Sequence, residues 1–288
     1  GRAFVFEHIG GDWVQTALLL PSPQQANAFF GVTCAVDGDV IAIAAPAEDS
    51  PIPDAGAVYV FGRVGGGWQQ TAGITAPDPA GGIRFGSSIA LRGNRMLIGA
   101  IGGLNELQQI TGAAYVYELV DGAWTPVTKL IASDNAFGNN FGASVALNGD
   151  LALIGAPRVA VSGHLDAGAV YFFGSTRAGW TELAKHVSSQ PAAEGRFGLR
   201  VALADGVAMV AADQEPVDGL NRAGAVYVYN GSGSEWSEVA RLVAPDAAAG
   251  DHFGTDVSID GSTALIGSYL DSHATGTSNV YVFQTATG

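Results

Sequence analysis

Phe141 to Trp180 reads FGASVALNGDLALIGAPRVAVSGHLDAGAVYFFGSTRAGW. Apolar and small or polar residues roughly alternate from Phe141 to Leu147, the period of a half-buried strand (strand A). Asn148-Gly149 follows, a two-residue hairpin turn whose residues both tolerate positive φ. Asp150 to Gly155 is nearly all apolar, as in a strand buried on both faces (strand B), and Ala156-Pro157 stops it. After a loop, Gly168 to Phe173 is rich in aromatic and β-branched residues (strand C). Gly174 to Gly179 turns the chain, and Trp180 opens a more polar strand D that ends near Val187. Four antiparallel strands with an apolar inner pair and a wetter outer one are the blade of a propeller.

The same unit recurs outward in both directions. Phe-Gly pairs stand at Phe30, Phe85, Phe141, Phe197 and Phe253, and the five tryptophans at Trp13, Trp68, Trp124, Trp180 and Trp236. Both markers advance by 55, 56, 56 and 56 residues. Two unrelated markers sharing one period define a structural repeat. The units predicted are 30–84, 85–140, 141–196, 197–252, and 253–288 completed by 1–29. The fold expected is therefore an all-β, five-bladed β-propeller of four-stranded antiparallel blades over residues 1–288, with the N-terminal strand from Trp13 to Leu20 closing the last blade. One C-type strand, Ala3–Phe6, is left over. It reads as an extra edge strand, as part of a longer array, or as a strand that pairs with another molecule.

The pattern FGxSVALxGDxALIGAP…GAVYVF…W resembles the FG-GAP repeats of bacterial extracellular proteins and, more distantly, the propeller of integrin α subunits. The Gly-Ala-Pro element is intact only at Gly155-Ala156-Pro157. The resemblance implies a secreted or cell-surface module that binds through one loop face. The calcium-binding integrin repeats carry a DxDxDG-like loop between strands A and B, and a calcium site needs six to eight oxygens. Here that connection is a tight turn such as Asp37-Gly38, so no calcium or other cofactor is expected.

Composition narrows the classes. A net charge of −14, with 13 Lys plus Arg, lacks the basic footprint of a nucleic-acid binder and disfavours an anionic membrane surface. No apolar run is long enough for a membrane helix. Cys34 is the single cysteine. It falls in register with Ile89, Val145, Val201 and Val257, which predicts a buried small hydrophobe. Asp78, Asp134 and Asp246 recur seven residues before the Phe-Gly pairs and read as carboxylates that bond nearby backbone N–H groups. The tryptophans, equivalent in every unit, read as blade-to-blade packing rather than sugar stacking.

Candidate ligand-binding residues lie where the units differ. The B–C loops carry Glu48, Asp49 and Asp54; His164 and Asp166; Asp213, Glu215 and Asp218; and Asp271 and His273. In addition, the fourth residue of strand A is Thr33, Ser88 and Ser144 in three units but Arg200 and Asp256 in the other two. Neighbouring blades place those two together near the central channel, as an ion pair or as a guanidinium poised for an anionic group. No nucleophile elbow, metal-ligand spacing or pair of carboxylates set for glycoside cleavage can be picked out. The expected function is thus non-catalytic recognition of a protein partner through the B–C and D–A loop face. The alternatives are a glycan-binding propeller, a subunit that assembles through residues 1–8 by strand exchange, and a glycosidase-like enzyme.

Overall fold

The structure, a computed structural model, describes residues 1–49, 52–271 and 277–284, with positions 270, 271 and 277 described in backbone only. Every regular element among them is a β-strand. The N-terminal hairpin is β1 (Ala3–Ile9) and β2 (Asp12–Leu19). Blade one holds β3 (Cys34–Asp37), β4 (Val40–Ala45), β5 (Ala57–Val64) and β6 (Gly67–Ile74). Blade two holds β7 (Phe85–Arg92), β8 (Arg95–Ala100), β9 (Ala113–Val120) and β10 (Ala123–Leu130). Blade three holds β11 (Ser144–Asn148), β12 (Leu151–Ala156), β13 (Ala169–Thr176) and β14 (Gly179–His186). Blade four holds β15 (Arg200–Ala204), β16 (Val207–Ala212), β17 (Ala225–Ser232) and β18 (Glu235–Leu242). Blade five holds β19 (Phe253–Asp260), β20 (Thr263–Asp271) and β21 (Thr277–Gln284). The chain is a five-bladed β-propeller.

Blades one to four are meanders in sequence order, A-B-C-D, and the described strands of blade five run A-B-C, with antiparallel pairing throughout. In the C–D pairs the register slips once at the same place, as between Val60/Phe61, Phe172/Phe173 and Val228/Tyr229. A bulge there bends the outer strand and raises the local twist. Strand A of blade three begins at Ser144 and not at Phe141, since its ladder with strand B starts at Ser144↔Gly155. Phe141 instead makes a parallel bridge to Gly112 of the blade before it. Gly142 has φ 87, and a side chain there would meet the Ala113 carbonyl at 2.3 Å, so the Phe-Gly pair needs its glycine for both conformation and space.

The core lies between blades. The outward-alternating residues of one blade, such as Leu97, Ala114 and Val116, pack on Phe141, Tyr171 and Phe173 of the next. Within each blade the Phe-Gly phenylalanine meets the strand C tyrosine edge to face, at 5.4 Å for Phe85–Tyr115 and for Phe141–Tyr171 and 5.3 Å for Phe197–Tyr227. Each such buried ring contributes about 1.5–3 kcal/mol of apolar burial. Trp68, Trp124, Trp180 and Trp236 pack into successive junctions as expected, with Trp236 stacked on Phe172 at 4.4 Å, whereas Trp13 of β2 is 72 % accessible and corrects the expectation there. At the junction of blades four and five the corresponding space beside Val228 is an apolar cavity of about 390 Å³.

The two ends of the chain meet differently from the expectation. Among the described residues β2 pairs only with β1, and no ladder joins it to β21, so blade five is a three-stranded sheet beside a separate hairpin. The reason lies in the leftover strand. β1 holds β2 along a ladder from Ala3↔Leu19 to Ile9↔Asp12. It also sets Ala3 and Val5 against Phe30, Ile43 and Phe61 of blade one, the position a strand C takes on the blade after it. Of the three readings of Ala3–Phe6, a strand at an edge matches its pairing within the molecule.

Cys34 corrects another expectation. It is exposed, whereas its counterparts Ile89, Val145, Val201 and Val257 are 8–9 % accessible. The hairpin packs on β4, β5 and β6 of blade one and leaves Cys34 and Val36 of β3 open.

Candidate functional site

The B–C and D–A loops gather on one face, and a regular set of contacts builds it. The residue before each Phe-Gly pair is left-handed: Phe29, Arg84, Asn140, Arg196 and His252 have φ between 54 and 58. The next amide donates across the junction, as Phe141 N–H does to the Thr111 carbonyl and Phe197 N–H to Ala167. The strand A serines lock neighbouring blades: Ser88 Oγ donates to the Gly142 carbonyl at 2.9 Å and Ser144 Oγ to Gly198 at 2.8 Å. Gly99 and Gly155 permit this, since a side chain at either would lie about 2 Å from that same carbonyl. In blade four Arg200 stands in the serine position, and Ala211 in the glycine position.

A second recurring contact fixes the strand C tyrosines, and it accounts for several candidate acids. Tyr115 donates to Asp78 at 2.7 Å and Tyr171 to Asp134 at 2.8 Å, while Lys129 and Lys185 reach the other oxygen of each carboxylate. Tyr281 donates to Asp246 at 2.7 Å. These aspartates therefore accept from tyrosine hydroxyls, not chiefly from backbone amides as expected. Blades one and four have Pro23 and Gln190 at that position. There a glutamate from the B–C loop takes over: Tyr59 donates to Glu48 at 2.7 Å, and Tyr227 to Glu215 at 2.9 Å. Arg241 donates to Glu215 as well, at 2.9 and 2.7 Å.

Burial governs the protonation of these groups. Desolvation raises the pKa of Glu48 and of Glu215, against the bonds from Tyr59 and from Arg241. Burial also works to raise Asp134, but the bonds from Lys185 and Tyr171 outweigh it and its pKa is lowered. Tyr227 is pushed up to about 12, by burial first. Glu48 and Glu215 thus turn inward, 6 % and 2 % accessible.

Three other candidates stabilise loop backbone. Asp54, Asp166 and Asp218 occupy left-handed positions at φ 51–52, which Asp tolerates better than most residues. The Asp54 and Asp166 carbonyls accept the Arg84 and Arg196 amides. Asp166 also pairs with Arg158 at 3.3 Å. Asp49 is exposed, with one oxygen on the Asp54 amide at 3.0 Å. His164 is exposed at a loop tip. Asp271 ends β20 and is described in backbone only; His273 lies outside the described residues.

Arg200, Asp213 and Asp256 are brought together where blade four meets blade five, on the rim of the channel. Arg200 Nε lies 3.9 Å from Asp256 Oδ1, both side chains well exposed; such a pair contributes under about 1 kcal/mol. Asp213 is 5 % accessible. One of its oxygens faces His252 Nδ1 at 3.4 Å, and the other is buried without a hydrogen-bond partner. Burial raises its pKa, while the charges of His252, Arg196 and Arg200 pull it down. Arg196 and His252 belong to this cluster and were not among the expected residues. Both hold the position before a Phe-Gly pair, where Phe29 and Asn140 carry no charge. Beside the cluster, the A strands line a polar channel cavity of about 390 Å³ with Thr33, Ser88, Ser144, Arg200 and Asp256. Among the described residues no three His, Cys, Asp or Glu side chains converge as metal ligands would.

Fold and face together define a repeat β-propeller whose scaffold contacts recur from blade to blade and whose charged rim does not. The family model of the FG-GAP repeat matches residues 13–61, 68–117, 124–173 and 236–283, and the chain belongs to that family. The family is generally non-catalytic, and its fold is consistent with a binding module. No curated protein matches the chain. The matched segments do not include 174–235, the stretch that carries Arg196, Arg200, Asp213 and Glu215.

Proposed function

We propose that this chain is a non-catalytic, extracellular or cell-surface binding module. It recognises a protein partner through the B–C and D–A loop face, centred on the junction of blades four and five. The observation that carries the reading is local. Arg200 stands where Ser88 and Ser144 lock their blades, beside Arg196 and a buried Asp213 with an unpartnered oxygen. A rim that gives up a structural bond for an exposed guanidinium is suited to take a carboxylate from a partner, since that guanidinium offers planar, paired donors. An acidic protein of net charge −14 gains selectivity from one cationic spot, because carboxylates elsewhere on it are repelled. Catalysis, a glycan ligand and calcium have no comparable observation in their favour.

The test is cross-linking to native surface proteins from a photoreactive residue placed at Asp218, beside the same protein carrying it at Asp121 in the opposite-face C–D turn of blade two. Capture from position 218 alone, lost in Arg200→Ala with the fold intact by circular dichroism, is the expected result. Equal capture by Arg200→Ala would remove the guanidinium from the reading.

A further inference from the structure

The loop face has two halves of different chemistry. One contact recurs along it: a carbonyl of the B–C loop accepts an amide of the following D–A loop. Ile110 accepts from Gly138 and Leu165 from Glu194, both at 2.8 Å, and Asn221 from Gly250 at 2.9 Å. The residue that makes the contact is apolar in blades two and three and polar in blade four. Around the first two, large apolar side chains stand in the open: Leu107 is 76 %, Phe137 76 %, Leu165 72 % and Ile110 43 % accessible. Exposed apolar side chains gathered in this way mark a surface that a partner covers. The charged rim at Arg200 occupies the other half. Blades two and three carry the patch away from the seam between blade five and the N-terminal hairpin, so its exposure does not depend on the chain ends.

The patch is held rigidly. Asn105 is 6 % accessible. Its side-chain oxygen accepts the Leu107 and Gln109 amides, both at 2.9 Å. Its side-chain amide donates to Asn135 at 2.8 Å and to Gln109 Oε1 at 3.2 Å, and Asn135 donates in turn to the Ala132 carbonyl at 2.9 Å. The loop of Leu107 is thus joined to the loop of Phe137 across the junction of blades two and three, and the Gly138–Ile110 bond joins them again. An apolar loop tip already fixed in the free protein loses little entropy on binding.

The neighbouring charges select what covers it. Arg158 is paired with Asp166 at 3.3 Å, Lys185 with Asp134, and Arg222 with Glu194 at 3.2 Å. Glu106, next to Leu107, is exposed and in no ion pair among the described residues. Of these neighbours only Glu106 is uncompensated, so the border of the patch is negative. We propose that the patch is a second contact of this face with its protein partner, and that it takes an apolar segment flanked by lysine or arginine. This assignment rests on the protein-binding reading of the face but not on Arg200, which serves a carboxylate on the other half. A cation wanted at one end and an anion at the other admit the partner in one orientation.

Peptide selection tests it. A random peptide library displayed on phage is panned on the folded chain, and the binders are synthesised. They should carry Leu, Ile or Phe beside Lys or Arg. They should bind Leu107→Ser and Phe137→Ser about tenfold more weakly. Glu106→Lys should weaken them about threefold, less in high salt. Val120→Ser, at an exposed valine on the opposite face of blade two, and Arg200→Ala should bind them like the unaltered chain, which separates failure of the patch from failure of the guanidinium. All these positions are exposed, and circular dichroism checks the fold. A library that yields no binder, binders with acidic flanks, or binders indifferent to Leu107→Ser and Phe137→Ser would overturn the proposal. Loss of phosphatidylcholine-vesicle binding or of self-association in those two variants would give the patch to a lipid surface or a second copy, and would overturn it equally.

Discussion

Tyr171 in blade three and Tyr227 in blade four do the same work by different means. Each is fully buried, each packs edge to face on its Phe-Gly phenylalanine, and each needs an acceptor for its hydroxyl. In blade three Asp134, from the loop before the blade, supplies it with Lys185; in blade four Glu215, from the loop between strands B and C, supplies it with Arg241. The fold specifies a carboxylate at the tyrosine, not the loop it comes from. A loop that provides it is tied inward and loses its acid as a surface feature. The charged rim next to it, at Arg200 and Asp213, has no such counterpart in blade three.

Breaking the two clamps separates them. Glu215→Ala leaves the Arg241 guanidinium, whose side chain is 20 % accessible, without its partner, and should cost about 3 kcal/mol in denaturant unfolding. Asp134→Ala should cost only about 1 kcal/mol, since Lys185 and Asp134 are 31 % and 48 % accessible and water replaces the ion pair. Equal losses would mean that burial does not distinguish the clamps.

A graft sharpens the same contrast. Val159 holds the backbone place of Glu215, its carbonyl accepting the Gly168 amide as that of Glu215 accepts Gly224. Adding Val159→Glu to Asp134→Ala should recover about half of the lost stability; no recovery would show that the acceptor cannot change loops.

The pH dependence of the clamps should have opposite signs. The pKa of Asp134 is lowered in the fold, so its contribution is present above its ordinary value of 3.8 and lost as pH falls through the folded value. The pKa of Glu215 is raised, so its contribution is full below the ordinary 4.5 and lost as pH rises through the folded value. Stability measured between about pH 3 and pH 7 should lose its acid-side decline in part in Asp134→Asn and lose its alkaline-side decline in part in Glu215→Gln. Shifts of one sign in both variants would contradict the assignment. The smallest effect is chemical rather than energetic: Cys34, open at the seam, should react with a thiol reagent in the native state at close to the rate of the unfolded chain. Protection would indicate a seam closed over β3.

The blades were legible because two markers, the Phe-Gly pair and the tryptophan, serve separate contacts and so share a period only if the whole unit repeats. The seam was not, because Ala3–Phe6 and Val280–Phe283 carry the same strand C pattern, and pattern alone does not say which of them takes the place beside blade one. The clamps were hidden by distance: Asp78 and Asp134 lie 37 residues before their tyrosines. The lysine or arginine fourteen residues after Tyr115, Tyr171 and Tyr227 was the available signal. Glu48 and Glu215 looked like rim acids because an inward turn of a loop leaves no mark in composition. Arg200 and Asp256 could be paired in advance, since they break one repeated position in adjacent units; His252 and Arg196 precede a motif instead of standing in it.

The account rests on dividing the loop-face charges into those that hold the scaffold and those that meet a partner. Affinity for the captured surface protein, measured side by side for Arg200→Ala and Glu48→Gln with the melting temperature of each, tests that division most directly. The expected result is lost affinity at an unchanged melting temperature for Arg200→Ala, and a lowered melting temperature at unchanged affinity for Glu48→Gln. The reverse pattern, or full affinity in Arg200→Ala, would contradict it.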